Sequence, residues 1–491
     1  MSSSRRNHHV NRYREEFTMD KFPRSTPEEQ GLASAAITAF LQSVQEQSLE
    51  LHSFMIVRNG YVVSEGWWEP YRSELPHMLF SLTKTFTSTA VGIASDEGLL
   101  NVNDSVIAYF PELANGQNSR HGQPLRIRDL LVMGTGHAED TMPTPDGSWI
   151  AEFLNKPSTY EPGTRFAYHN AASNLLSLIV ERASGQTLQQ YLKPRLFAPL
   201  GINGELWDTN PDGTIPGGYG LRLLTEDIAK LGQLYLQKGV WEGERIVSEE
   251  WLAEASGKQI SNGDEPDNDW NSGYGYQLWC CYRDGAYRFT GMFNQLCLVL
   301  PEHNAIVALT SATLDERPVY ETIWKHLVPA MAAVPLEADE AAQQELRSAI
   351  QALSLRPSGF NNAGLPDHLA GERRFALEAN EFGWTAVRIE PAGEGAMTFL
   401  AETAAGEHRI TVRADGWTSG SYEQESIAAI GGWDNGGTLH IHTCLLTTPM
   451  RRSVAARFEG EKLSLVITAN VGMQEPLQIT GYEAKPAGAS N

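Results

Sequence analysis

Phe80-Ser81-Leu82-Thr83-Lys84-Thr85-Phe86 is the stretch on which the reading of this chain turns. Leu82, Phe86, Ala90 and Ile93 recur at helical spacing from it, and Gly98 stands just past them, so the pattern predicts a helix from residue 82 to about residue 96. Ser81 falls where that helix starts, and Lys84, three residues on, shares its face one turn away. A serine hydroxyl is a weak nucleophile until a base takes its proton, and a lysine stripped of water, with a lowered pKa, can take it. The helix N-terminus adds backbone N–H groups and a positive partial charge near an oxygen under attack. Ser-x-x-Lys also arises by chance as a capping serine beside a surface lysine, but here Phe80 and Phe86 set both polar groups beside a core.

Working outward, residues 53–58 and 61–65 flank Asn59-Gly60, which supplies the positive φ angles of a tight hairpin. Helices are expected over residues 171–183, ending at Ser184-Gly185, and from Thr225, whose hydroxyl can cap the first turn. The apolar runs 296–300 and 305–310, divided by Pro301-Glu302-His303-Asn304, read as a second hairpin, and a helix is expected near 320–331. Strands at both ends with helices between them predict an α+β domain whose sheet is closed by distant pieces of chain. Residues 332–353, rich in Ala, Glu and Gln, read as a connecting helix. Beyond Arg356 come short strands parted by Asp415-Gly416, Asn435-Gly436 and Glu459-Gly460, the pattern of a small antiparallel barrel or sandwich.

The chain has 491 residues, 41% of them hydrophobic, enough for a sizeable core. Its 60 acidic and 38 basic residues leave a net charge of −22, which repels phosphate backbones and anionic lipid, so nucleic-acid and membrane-surface roles are disfavoured. No apolar run reaches the roughly 18–20 residues of a spanning helix. The polar start, with Arg5, Arg6, Arg12 and Arg14, lacks the apolar stretch of a secretory signal and reads as a loose extension, in which a metal at His8 and His9 is a minor alternative. Cys280, Cys281, Cys297 and Cys444 form no disulfide framework and no paired Cys-x-x-Cys site, so reduced thiols and a cytoplasmic location are expected.

Two further segments can carry chemistry. In Tyr168-His169-Asn170, just before a helix, Tyr168 beside a lysine ammonium can have a lowered pKa and shuttle a proton. Asn170 can bind a substrate carbonyl and the lysine, and His169 can act as donor or base near a pocket mouth. Singly, Tyr168 is as readily a packing residue and Asn170 a helix N-cap. In Phe289-Thr290-Gly291-Met292, a glycine at a strand edge lets a substrate approach the backbone, and the Met292 N–H can form half of an oxyanion hole with the N–H of Ser81.

Taken in order, Ser81-x-x-Lys84, Tyr168-x-Asn170 and, less closely, Phe289-Thr290-Gly291 resemble the marks of the serine β-lactamase and penicillin-binding-protein superfamily, in its class C-like, esterase-containing branch. Glu97-Gly98-Leu99-Leu100-Asn101-Val102-Asn103-Asp104, Phe110-Pro111-Glu112, Ile127-Arg128-Asp129-Leu130-Leu131, Glu161-Pro162-Gly163 and Pro199-Leu200-Gly201-Ile202 add to the likeness, which spans residues 23–331. The resemblance implies a β-lactamase/transpeptidase-like domain over 23–331, with an antiparallel sheet flanked by helices and an all-helical region, and allows a small antiparallel, lipocalin-like β-barrel over 357–491. The composition adds a flexible extension over 1–22 and a linker helix over 332–356. In the site it implies that Ser81 is acylated, Lys84 takes its proton or acts electrostatically, Tyr168 is general base and acid, and Asn170 holds substrate and lysine. His169, Thr290, Gly291 and Met292 complete the expected binding set.

The third motif carries Phe289 where the family has lysine or histidine, which removes a cation for a substrate carboxylate. Arg288 is a poor substitute because strand neighbours point to opposite faces. The expected activity is therefore that of an ester or amide hydrolase (carboxylesterase, amidase or D-amino-acid peptidase) acting on a small molecule or short peptide without a cofactor. The alternatives are a catalytically silent ligand-binding protein on the same scaffold and a true β-lactamase. A zinc site at His440-Ile441-His442-Thr443-Cys444 has the i, i+2, i+4 spacing of one strand face but no fourth ligand in sequence, so no metal is assigned. Trp67-Trp68 reads as core or pocket wall. The C-terminal region is expected to limit substrate size, mediate dimerisation or homo-oligomer formation, or stabilise the chain.

Overall fold

The computed structural model describes residues 21–113, 124–263, 265, 268–283, 285–357, 359–360, 373–393, 395–422, 425–473 and 475–484. His8 and His9 lie outside them. The expected loose extension is cut short at its end, because Phe22 is buried, packs edge-on to Trp241 at 5.8 Å and donates its N–H to Glu226.

Asn59 and Gly60 adopt φ of 51° and 81°, the positive pair that a two-residue hairpin demands, and join strand Leu51–Arg58 to Tyr61–Trp67. These two begin a six-stranded antiparallel sheet. Its spatial order continues through Ala305–Ser311, Gln295–Leu300, Tyr287–Gly291 and Trp279–Cys280. The two ends of the expected hydrolase segment therefore meet in the middle of one sheet. Side-chain alternation sorts the central strands onto two cores. Met55, Val57, Cys297, Val299, Ile306 and Ala308 face the helical region, while Phe54, Ile56, Leu296, Leu298 and Val307 face helix Ser34–Glu46 and the helical segment after Arg317. Because both faces are covered, the strands read as unbroken apolar runs rather than alternating ones.

Helices Thr83–Asp96, Asn170–Ser184 and Thr225–Leu236 lie where the periodicity puts them, the first preceded by a 3₁₀ turn over Phe80–Leu82. The cap of the third differs from expectation. Asp227 accepts the Leu224 N–H, and the Thr225 hydroxyl pairs with Ser53 Oγ at 2.7 Å, because the sheet beneath offers a buried partner. The segment near 320–331 is helix Arg317–Thr322 with one π and one 3₁₀ turn after it, and the connecting helix is Glu340–Gln351. Among the described residues no helix is long and apolar enough to cross a membrane.

The C-terminal region is a ten-stranded antiparallel sheet running from Gly406–Arg413 at one end to Thr418–Tyr422 at the other. The Thr418 hydroxyl reaches the Thr411 carbonyl, so the two ends nearly close a barrel around Phe375, Trp384, Phe399, Trp433 and Ile441. On it, His440 Nε2 bonds Asp434 and His442 Nδ1 bonds Ser453, while Cys444 is buried. Among the described residues no group of three or more His, Cys, Asp or Glu side chains is arranged to hold a metal, and all four cysteines are free. The barrel docks on the strand that leads into the Ser81 turn. The Met78 N–H donates to Thr447 O at 2.8 Å, the Tyr71 hydroxyl to Thr448 O at 2.9 Å, and Arg451 pairs with Glu50 at 2.7 Å.

Candidate active site

Ser81 sits in the 3₁₀ turn that opens helix Thr83–Asp96. The residue before it, Phe80, has φ of 49°, a region that costs a bulky side chain about 1–3 kcal/mol. Its ring is held edge-on against Phe293 at 5.3 Å, which lets the turn lift Ser81 to a half-buried position. Lys84 comes up from the next turn, only 1% exposed. Its Nζ stands 3.0 Å from Ser81 Oγ, 2.8 Å from Asn170 Oδ1 and 2.8 Å from the Gly218 carbonyl oxygen. A neutral amine has two N–H bonds and one lone pair, so the two carbonyl-type oxygens take the protons and the lone pair is left for the Ser81 hydroxyl. Loss of hydration pulls Lys84 down from 10.5 to about 7, against the upward pull of the Asp140 charge.

Tyr168 lies over the same site, with Lys84 Nζ 4.8 Å from its ring centre and its hydroxyl near enough to Ser81 to feel that side chain. Trp279 stacks on the ring at 5.9 Å. Its acidity runs opposite to the sequence expectation. Burial raises the phenol well above its ordinary value of 10, the Ser81 side chain only partly offsets this, and the Asp140 and Glu316 charges add to it. The expectation weighed the lysine charge and left out desolvation, which also keeps that lysine from holding a full charge near neutrality.

The third segment arrives at the sheet edge. A Cβ on Gly291 would lie 2.0 Å from Leu79 O and 3.0 Å from Leu82 N, so only glycine lets the strand press against the Ser81 turn. Gln295, fully buried, bonds the Met292, Phe293 and Ser311 carbonyls and pins the tight turn at the strand's end. The Met292 side chain is 58% exposed. Register puts Phe289 opposite Cys297 and Thr290 opposite Leu296, so they take opposite faces. Phe289 is fully buried against Tyr235 at 4.9 Å and offers no charge. Arg288 is fully buried on the other face, donating to the Asp269 and Cys280 carbonyls under Trp270, Tyr320 and Trp279. The Thr290 hydroxyl lies 3.3 Å from both Glu316 Oε2 and Tyr320 OH.

His169 does not join the others. Its ring is buried, donates Nε2–H to the His137 carbonyl at 2.9 Å and packs edge-on to Phe153. The chain is extended at this residue, so it faces the core while Tyr168 and Asn170 face the site.

Three contributors escaped the sequence reading. Asp140 caps helix Asn170–Ser184 from a loop 30 residues away, taking the N–H groups of Asn170 and Ala171 and the Asn170 amide. Gly217 and Gly218 bring a carbonyl to Lys84, since a Cβ on Gly217 would sit 2.1 Å from Ser173 O. Glu316 stands beside Thr290 with its pKa raised by burial, partly countered by the bond from Tyr320. The Gly-Gly pair was a visible signal; the two carboxylates had none.

The family model described as Beta-lactamase matches residues 36–328. The sequence is 26% identical over 328 residues to a 6-aminohexanoate-dimer hydrolase from Paenarthrobacter ureafaciens, covering 59% of this chain and 80% of that one. Among solved structures, a family VIII carboxylesterase superposes with a TM-score of 0.50 at 17% identity, over 62% of this chain and 99% of its own. A hydrolase with promiscuous acyltransferase activity does so at 0.50 and 16% identity, over 66% and 99%. Both likenesses are of fold.

Proposed function

The chain belongs to the Beta-lactamase family, and on that premise we propose that it is a serine hydrolase that cleaves an ester or amide bond through an acyl-enzyme at Ser81. One observation carries this reading: the Lys84 nitrogen is held by Asn170 and Gly218 with its remaining valence toward Ser81 Oγ. In the first step the Ser81 proton passes to neutral Lys84 as Oγ bonds the substrate carbonyl carbon. The oxygen that gains charge is taken by the N–H groups of Ser81 and Met292, brought together by Gly291. Tyr168, protonated at neutral pH, gives its proton to the leaving alcohol or amine and regains one from the lysine. Water then repeats the sequence on the acyl-serine. Asn170 also binds the substrate, beside Thr290.

The substrate class is an uncharged or cationic small ester, amide or short peptide, because Phe289 and Arg288 withdraw the cation that a carboxylate would need. The relative named as a hydrolase supports hydrolysis over silent binding. In this reading residues 23–331 catalyse, 332–356 connect and 357–491 form a barrel domain that braces the Ser81 strand, in a cytoplasmic enzyme. A fluorophosphonate should label the wild type and leave Ser81→Ala unlabelled and inactive on an aryl acetate. Label retained by Ser81→Ala, or a wild type neither labelled nor active, would overturn it.

A further inference from the structure

We infer that Asp140 is a positioning residue of this site, one that selects which end of the Asn170 carboxamide faces Lys84 and so aims the lysine at Ser81. The inference rests on the serine hydrolase reading and goes beyond it, since nothing in the three motifs names this carboxylate.

An asparagine side chain has an oxygen end and an NH₂ end of nearly the same shape, and its neighbours decide which way it turns. Here the two neighbours are of opposite kinds. Asp140 Oδ2 accepts from Asn170 Nδ2 at 3.0 Å, and Lys84 Nζ donates to Asn170 Oδ1 at 2.8 Å. A carboxylate can only accept, so it holds the NH₂ end and leaves the oxygen for the lysine. Turned the other way, the amide would set N–H against N–H and release Lys84 from one of its two anchors.

The carboxylate is itself fixed. Oδ2 also takes the Asn170 N–H at 2.9 Å, and Oδ1 takes those of Ala171 at 3.1 Å and Thr141 at 2.9 Å. This is the N-terminus of a 15-residue helix, where a negative charge is favoured. Burial acts to raise the Asp140 pKa, but His169 and the backbone N–H groups of Ala171, Asn170 and Thr141 hold it well below the usual carboxylate range. Asp140 is therefore charged at any pH where the enzyme works.

A second consequence is electrostatic. Lys84 is faced by Ser81 on its own helix, by Tyr168 and Asn170, by the Gly218 carbonyl and by the Asp140 charge, with Glu316 reaching it only by way of Tyr168. Asp140 is itself faced by His169, whose Nδ1 is 3.4 Å from Oδ1, and its charge also reaches Tyr219. Removing the Asp140 charge lowers the Lys84 pKa, so the acid limb of the rate profile moves to lower pH even as the rate falls.

The test uses the full chain with an aryl acetate across the neutral pH range. Asp140→Asn keeps the size and one acceptor for the helix, and should lose about 10- to 100-fold in kcat, with KM changed by less than about threefold, as expected of misplaced groups. Its acid limb should move down in pH. Because Asp140 acts through Asn170, the double variant Asp140→Asn/Asn170→Ala should be within about threefold of the worse single one. Asp140→Ser, which keeps a helix-capping hydroxyl, should behave like Asp140→Asn and serves if the latter folds poorly. An unmoved acid limb, or losses that multiply in the double variant, would overturn the inference. A wild type that no fluorophosphonate labels would instead refute the acyl-enzyme reading.

Discussion

Lys84 Nζ stands 4.8 Å from the centre of the Tyr168 ring, and burial drives these two neighbours apart in acidity. Desolvation lowers the amine to about 7 and raises the phenol well above 10. Near neutrality the phenol is thereby uncharged and able to give a proton, and about half of the amine is neutral and able to accept one.

That pair sets the pH profile. In the proposed mechanism Lys84 works as the neutral amine, so kcat/KM for an aryl ester should rise as pH passes about 7 and level off above it. Tyr168 stays protonated through this range, so no alkaline fall from the phenol should appear below its ordinary value of 10. Initial rates with an uncharged ester measure this. A rising limb near 10 instead would mean that the fold does not lower the Lys84 pKa.

Replacing Lys84 by Met should cost about 100- to 10,000-fold in kcat/KM, the usual span for a lost general base. Stability gives an independent check. The folded pKa of about 7 lies below the ordinary 10.5, so the folded state binds fewer protons between those values and the penalty of burying the amine is full below 7 and gone above 10.5. The melting temperature of Lys84→Met relative to wild type should accordingly be most favourable at pH 7 or below and decline towards 10.5. A difference that does not vary with pH would show that the lysine is charged in the fold.

Gly291→Ala tests whether the strand edge must touch the Ser81 turn. With Leu79 O 2.0 Å from the added carbon, the strand has to retreat, and about 100-fold in kcat/KM should be lost for a displacement of order 1 Å. Circular dichroism should show the sheet intact. Activity within threefold of wild type would place the oxyanion donors elsewhere (a misplaced group of this kind costs about 100-fold).

Glu316 should set charge preference. Its carboxylate lies 3.3 Å from the Thr290 hydroxyl on the strand that borders Ser81. Wild type should cleave an uncharged ester faster than its carboxylate-bearing analogue, and Glu316→Gln should narrow that gap about three- to tenfold, the scale of one charge at several ångströms in partly wet protein. Paired kinetics on the two esters decide it, and an unchanged ratio would remove Glu316 from substrate selection.

Much of this architecture was legible along the chain because its signals are local. The Asn59-Gly60 hairpin, the stripe of Leu82, Phe86 and Ala90 and the glycine-punctuated strands of the barrel each depend on neighbours within a few residues. Side-chain alternation likewise placed Arg288 and Phe289 on opposite faces from their order alone.

What the amino-acid order determined was which groups exist at which spacing: a serine and a lysine one turn apart, a tyrosine and an asparagine at a helix start, and a glycine at a strand edge. Tertiary structure alone decided their company and their acidity. It sent His169 to the core, recruited Asp140 and Glu316 from segments with no motif, gave the Gly218 carbonyl to Lys84, and reversed the expected shift of Tyr168. The physical reason is that water is excluded and hydrogen-bond partners are supplied by residues far off in the chain, and a pKa measures that surrounding rather than the spacing of its neighbours in sequence.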